Sequence, residues 1–275
     1  MKRLLSLALL ALPFLGITPA KAENLTVKGS DTMVILGQRW AEDYMKKHPE
    51  SSIQVTGGGS GTGISALING TTDICQASRS MKDSEKAKLN ARYKNPGVEI
   101  SVAKDGLAVY VNAGNPVKAL SMNQLRLIYT GKITNWKDVG GKDGKIIVYS
   151  RENSSGTYVF FKEHVLKNAD YTPRAQTMQG TAAVVSAVSK EKNGIGYGGA
   201  AYAKGITVIA VKKDDNSAGV KPSLATVKDG SYPLSRALYF YLRDKPAGTA
   251  KAFIDYTLSK DGQAIVSKVG YFPIK

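Results

Sequence analysis

The chain has 275 residues, 38 Lys+Arg against 22 Asp+Glu, a formal net charge of +16 and one cysteine. That length accommodates one large domain or two modest ones, and a lone Cys75 excludes an intrachain disulfide framework. The basic residues are scattered, with no run of five like charges and no nucleic-acid motif, so the charge reads as a solvated surface and no nucleic-acid partner is expected.

The first residues form a leader pattern. Lys2 and Arg3 precede an apolar run from Leu4 to Leu15, and Ala20-Lys21-Ala22 has the small-x-small form of a cleavage site. The apolar run is shorter than the roughly 20 residues needed to span a bilayer. Residues 1–22 are therefore expected to be a signal peptide cut near Ala22, and a bacterial periplasm fits an exported chain with no cysteine near the cut. The mature part keeps +13 of the charge.

Beyond the leader, strands and helices alternate, which predicts an α/β fold with mainly parallel strands. "LTVKGSDT" is a strand and loop, followed by a helix with Met33, Leu36, Trp40 and Tyr44 on one face. "SIQVTGGGSGTG" is the second strand and loop, leading to a helix with a stripe of Ile64, Leu67 and Ile68. "TTDICQASRS" is the third, before the charged helix "DSEKAKLNARY". "VEISVAKDGLAVYVN" reads as extended strand broken near Asp105-Gly106. "SMNQLRLIYTG" is a helix closed by Gly131. "KIIVYS" runs into "RENSSGT" and a helix carrying Tyr158, Phe161 and Val165. "TAAVVSAVSKEKNGIGYGG" is a helix, a glycine stop and a short strand. "RALYFYL" is a strong strand, and the last helices follow it.

Four strands thus end in loops rich in Ser, Thr, Gly or Arg: "GSDT", "GGGSGTG", "ASRS" and "RENSSGT". In α/β sheets, ligands bind beyond the carboxyl ends of strands. Helix N-termini there offer unpaired N–H groups and partial positive charge. Converging loops of this kind would make an oxyanion site. "GGGSGTG" by itself is weak: it lacks the Lys of a P-loop and the acidic ribose partner of a dinucleotide fold, and a flexible glycine turn remains open as its reading. "RENSSGT" is more specific, because an Arg fork near a Ser-Gly-Thr helix start can grip an anion; an ordinary cap with a surface Arg is the alternative. Arg79 in "ASRS" reads equally as a second fork or a surface charge. His48 and His164 have no metal-ligand spacing, and there is no G-x-S-x-G elbow. No metal, cofactor or catalytic residue is expected.

The same residues carry a resemblance. From "GSDT" through "GGGSGTGISALINGTTDI", "DGLAVYVNAGNP", "IYTGKITNW", "SRENSSGT", "GIGYGG" and "YPLSRALYFYL" to "LSKDGQAIVSKVGYFP", the chain resembles the periplasmic phosphate-binding proteins of ABC phosphate-uptake transporters. The resemblance implies a two-lobed type 2 periplasmic-binding-protein fold with two hinge strands and the ligand cleft between the lobes. Lobe I would be residues 23–103 plus 236–275, and lobe II residues 104–235. It implies a monomer that binds inorganic phosphate and hands it to a membrane-embedded permease, without covalent chemistry. The implied ligand contacts are Ser30, Asp31 and Thr32 in the first loop, Ser60 in the glycine loop, Arg79, and Arg151, Ser155, Gly156 and Thr157. Well-known members place an Asp after "AS" to accept the proton of monohydrogen phosphate, whereas this chain has Arg79. Asp31, with Asp105 as second candidate, is expected to supply that acceptor. The alternatives are another tetrahedral oxyanion (sulfate, molybdate or tungstate), a secreted phosphatase using Ser60 or Ser155, and a basic adhesion protein.

Overall fold

The computed structural model describes residues 23–274; the leader and its cleavage site lie outside the described residues. In chain order the elements are β1 (Glu23–Gly29), α1 (Val34–Lys47), β2 (Ser51–Thr56), α2 (Ser60–Asn69), β3 (Ile74–Ala77), α3 (Asp83–Tyr93) and β4 (Val98–Val111). β5 (Ala119–Ser121), α4 (Met122–Tyr129), β6 (Ile147–Arg151), α5 (Gly156–His164), β7 (Gln176–Met178) and α6 (Gly180–Lys190) follow. The chain ends with β8 (Gly194–Gly199), β9 (Thr207–Lys212), α7 (Leu224–Lys228), β10 (Ser235–Leu242), α8 (Gly248–Leu258) and α9 (Lys260–Val269). No helix among the described residues is long and apolar enough to cross a membrane.

The strands run in the order β2-β1-β3-β10-β4-β8-β6-β7, with β9 paired to β4 and β5. The pairs β1–β2, β1–β3, β6–β8, β6–β7 and β5–β9 are parallel, as a βαβ pattern requires. β10 is antiparallel to β3 and β4, and β4 to β8 and β9. The mainly parallel expectation therefore fails at the centre of the sheet. There, two long strands pass each other in opposite directions, each carrying the chain from one half of the molecule to the other.

The expected break at Asp105-Gly106 is absent. β4 runs unbroken through these residues and changes partners instead: Val98 to Gly106 pair with β10, and Leu107 to Val111 with β8. Its side chains change cores at the same place. Val102 and Ala103 pack with Leu25, Trp40, Phe240 and Phe253, whereas Leu107, Val109 and Val111 pack with Leu125, Trp136, Phe161 and Ile195. The mixed polar and apolar pattern around Asp105 is thus the sign of a strand leaving one core for another. Two halves of the sheet joined by a crossing ribbon place the ends of β1, β2, β3 and β6 against each other.

Candidate functional site

Each predicted loop is shaped by the strand before it and the helix after it. β3 is buried along its whole length, so Ser78, just past its end, is held fully buried. The glycine loop reaches α2 through Gly59 at φ 95, a left-handed conformation that favours glycine. A side chain at that position would meet the Ser154 carbonyl oxygen at 2.6 Å. The Ser155 hydroxyl caps α5, accepting from the Tyr158 N–H at 3.3 Å. α2 and α5 thus start at the same place, one from each half of the sheet, and the Gly61 N–H donates to the Ser154 carbonyl at 2.9 Å.

Between them lies a buried cluster of hydroxyls. Ser30 Oγ donates to Ser78 Oγ at 2.9 Å, and Ser60 Oγ stands 3.5 Å from Ser78 Oγ. Thr32 and Thr157 Oγ1 atoms are 2.8 Å apart across the interface between the cores. Ser30, Thr32, Ser60, Ser78, Ser155 and Thr157 are all buried. Gly156 completes the packing, since a Cβ there would fall 2.3 Å from Ser60 Oγ and 2.8 Å from Ser78 Oγ. Hydroxyls rotate, so this group can turn its donors onto an anion at the two helix N-termini.

Two guanidinium groups flank the cluster. Arg151, with a side chain 1% exposed, gives Nη2 to Asp31 Oδ2 at 2.8 Å and to Glu152 Oε1 at 2.7 Å, and Nη1 to Thr181 Oγ1 at 3.0 Å. Arg236 gives Nε and Nη2 to Asp105 Oδ2 at 3.0 and 2.8 Å. Its remaining bonds go to the Ser78 carbonyl and to Thr157 Oγ1, both at 3.1 Å. Arg236 and Asp105 are direct cross-strand neighbours on β10 and β4.

The structure therefore brings together Ser30, Thr32, Ser60, Ser155, Gly156 and Thr157, with Arg151 and Asp31 paired at the edge. Asp31 has both oxygens engaged, Oδ2 with Arg151 and Oδ1 with the Gly58 N–H at 2.8 Å. The Tyr202 hydroxyl donates to the Asp31 carbonyl at 2.7 Å, and burial raises its pKa to about 12. Arg79 stands apart. Its guanidinium forks onto Glu85 at 2.8 and 2.7 Å, beside the start of α3. Burial works to raise the Glu85 carboxyl, but the Arg79 bond and the Lys82 N–H outweigh it and hold the group below the usual carboxylate range.

Sequence reasoning passed over Ser78 and Arg236. In "ASRS" the Ser78 and Arg79 side chains are both buried, but the serine joins the hydroxyl cluster while the arginine guanidinium turns to Glu85. The Glu85 that occupies Arg79 lies six residues on and was the available signal. Arg236 carries no local signal, because its partner Asp105 is 131 residues away.

A fold in two halves, with hydroxyl-rich loops meeting between them, is that of a solute-binding protein of the periplasmic-binding-protein class. The model of the PBP superfamily domain matches residues 17–261. Phosphate-binding protein PstS of Pseudomonas aeruginosa is 36% identical over 281 residues, 96% of this chain and 87% of the relative. PstS of Bacillus subtilis is 36% identical over 252 residues, covering 91% and 81%. Among solved structures, a phosphate ABC transporter substrate-binding protein with bound phosphate from Clostridium perfringens superposes with a TM-score of 0.84. It has 33% identity and covers 92% of this chain and all of that one. An ABC-type phosphate transport receptor from Vibrio cholerae gives 0.73 at 31% identity, covering 90% and 99%. The chain belongs to the PstS family of phosphate-binding proteins within the PBP superfamily.

Proposed function

We propose that this protein captures inorganic phosphate between its two cores and delivers it to a membrane-embedded ABC permease. The observation that supports this reading is the buried convergence of Ser30, Thr32, Ser60, Ser155 and Thr157 with Arg151 at two helix N-termini. Relatives named for phosphate binding supply the ligand. Ser30, Thr32 and Ser60 would contribute one half of the cage. Arg151, Ser155, Gly156 and Thr157 would contribute the other, so the anion favours the closed arrangement over an open one. Hydrogen bonds to a charged ligand contribute about 1.5–3 kcal/mol each, which several together turn into micromolar or tighter affinity after the cost of closure.

In this reading lobe I is residues 23–103 plus 236–275, lobe II is residues 104–235, and β4 and β10 are the hinge. Asp31 holds Arg151 from the opposite lobe, and Arg79 braces the loop that carries Ser78. The protein acts as a monomer in the periplasm after removal of residues 1–22. Calorimetry of the mature protein with phosphate, sulfate and molybdate at neutral pH tests the ligand. An unmeasurable phosphate affinity would sink the reading, and a preference for sulfate or molybdate would transfer it to that anion.

A further inference from the structure

A hydroxyl has a single proton to give, and a donor already bonded to its oxygen closes one direction to that proton. Ser60 Oγ accepts the Ser78 N–H at 3.1 Å, and Ser155 Oγ accepts the Tyr158 N–H at 3.3 Å. Backbone amides thus leave both of these protons to point away from the chain that supplies them. At Thr157 the same service comes from a side chain, because Arg236 Nη2 donates to Oγ1 at 3.1 Å.

Arg236 is held in that place from several sides, with only 3% of its side chain exposed. Nε and Nη2 donate to Asp105 Oδ2 at 3.0 and 2.8 Å, and Nη1 donates to the Ser78 carbonyl at 3.1 Å. The guanidinium also lies over the Phe160 ring, 5.3 Å from its centre. The two hydrogens of Nη2 therefore divide between Asp105 and Thr157, and this one nitrogen stands between a fully buried carboxylate and a buried hydroxyl.

Without Nη2, the Asp105 carboxylate would be the strongest acceptor beside Thr157, and the hydroxyl would turn its proton that way. Its lone pairs would then face the cluster, and a donor would become a repulsive wall for an anion. With Nη2 in place, the Thr157 proton is left with Thr32 Oγ1, 2.8 Å away, or with a ligand.

We propose that Arg236 is a positioning residue for anion binding, fixing the Thr157 hydroxyl as a donor by occupying the side of Oγ1 next to Asp105. This rests on the phosphate reading of the site. Arg236 acts through Thr157 and not by touching the anion. When phosphate enters, the Thr157 proton leaves Thr32 for a phosphate oxygen, and Thr32 is freed to give its own. Because Arg236 on β10 lies directly opposite Asp105 on β4, the polarity of this part of the cage is set from the two crossing strands and not from the loops around the ligand.

Arg236→Lys separates this role from a simple effect of charge. Lysine keeps a positive charge beside Asp105, but its chain ends one atom short of Nη2 and has no second prong. Calorimetry with phosphate is expected to show binding at least about fivefold weaker than in the wild type. Thr157→Val, which removes the hydroxyl, is expected to lose about 10- to 100-fold, and adding Arg236→Lys to it should cost less than about threefold more. A smaller loss in the single Arg236→Lys protein overturns the proposal. So does a larger further loss in the Thr157→Val background, because Arg236 would then act by its charge or by packing; both results leave the phosphate reading intact. No phosphate binding by the wild type removes that reading and the proposal with it. If Arg236→Lys does not fold, neutron diffraction from deuterated wild-type crystals grown with phosphate decides, since it locates the proton that X-rays miss. A Thr157 deuteron directed at a phosphate oxygen, with Nη2 on Oγ1, supports the proposal, and one directed at Thr32 or Asp105 overturns it.

Discussion

Gly156→Ala adds one methyl group at the point where the two lobes meet, and its effects can be worked through from the structure. Gly156 starts α5 with a negative φ, so alanine fits the backbone and is the better helix former. The new Cβ would lie 2.3 Å from Ser60 Oγ and 2.8 Å from Ser78 Oγ, both on the opposite lobe. Those hydroxyls are fully buried, with Ser60 Oγ also accepting the Ser78 N–H at 3.1 Å. They can move aside only by giving up that bond and the cage geometry. Overpacking of this kind costs about 1–3 kcal/mol. On the proposed reading the cost falls only on the closed form, because opening would separate the two walls. A closed-state penalty of that size weakens phosphate binding about 5- to 150-fold. The thermal stability of the protein without phosphate should stay within a few degrees of the wild type, while the upward shift on adding phosphate shrinks. Isothermal calorimetry and paired thermal melts read both quantities. A phosphate affinity within twofold of the wild type would refute the reasoning, since it would mean that the walls do not meet around the ligand as the structure has them.

Other outcomes follow from the same geometry. Arg151→Lys exchanges a fork for a point charge and leaves Asp31 and Thr181 poorly matched; titration should show at least about 10-fold weaker phosphate binding. Arg79→Met should change phosphate affinity by less than about threefold, because Arg79 spends its donors on Glu85 and the Ser80 carbonyl; it should instead lower the denaturant midpoint by leaving Glu85 unpaired. A carboxyl with a depressed folded-state pKa contributes stability that is complete at neutral pH and lost as pH falls through that value. Acid unfolding followed by circular dichroism should therefore lose part of its pH dependence in Arg79→Met. Cys75 is fully buried, and burial pushes its thiol pKa up, so a thiol reagent should label the native protein only as fast as lobe I opens and label it at once in denaturant.

How much of this was readable beforehand depended on how local the signal was. Ser60, Arg151 and Ser155 to Thr157 stand on loops directly after apolar strand runs, and short-range pattern placed them. The strands and helices themselves followed from periodicity, and Gly131 stops α4 as expected, at φ 79. Arg236 sits at the start of a strongly apolar strand and looks like the polar end of an ordinary one. Only the register of β4 against β10 gives it Asp105 as a partner, and register between strands so far apart in sequence is a tertiary property. Arg79 is decided by tertiary partners for a related reason. A charged residue in such a loop suggests a ligand contact, while in the structure its guanidinium lies on Glu85 and Ser78 joins the hydroxyl cluster. Asp105 stood out in the sequence both at a suspected break and as second candidate for the proton acceptor. The same residues turned out to mark a change of partners in an unbroken strand.

That unbroken strand has a practical consequence. Because residues 98–106 and 107–111 complete two different groups of strands, the two lobes cannot be separated into expressible fragments by cutting between them. Each piece would carry an unpaired strand edge prone to aggregation. New termini, tags or reporter domains belong instead in the exposed turn around Asp214 and Asn216, beyond β9, where an insertion leaves the ribbon whole.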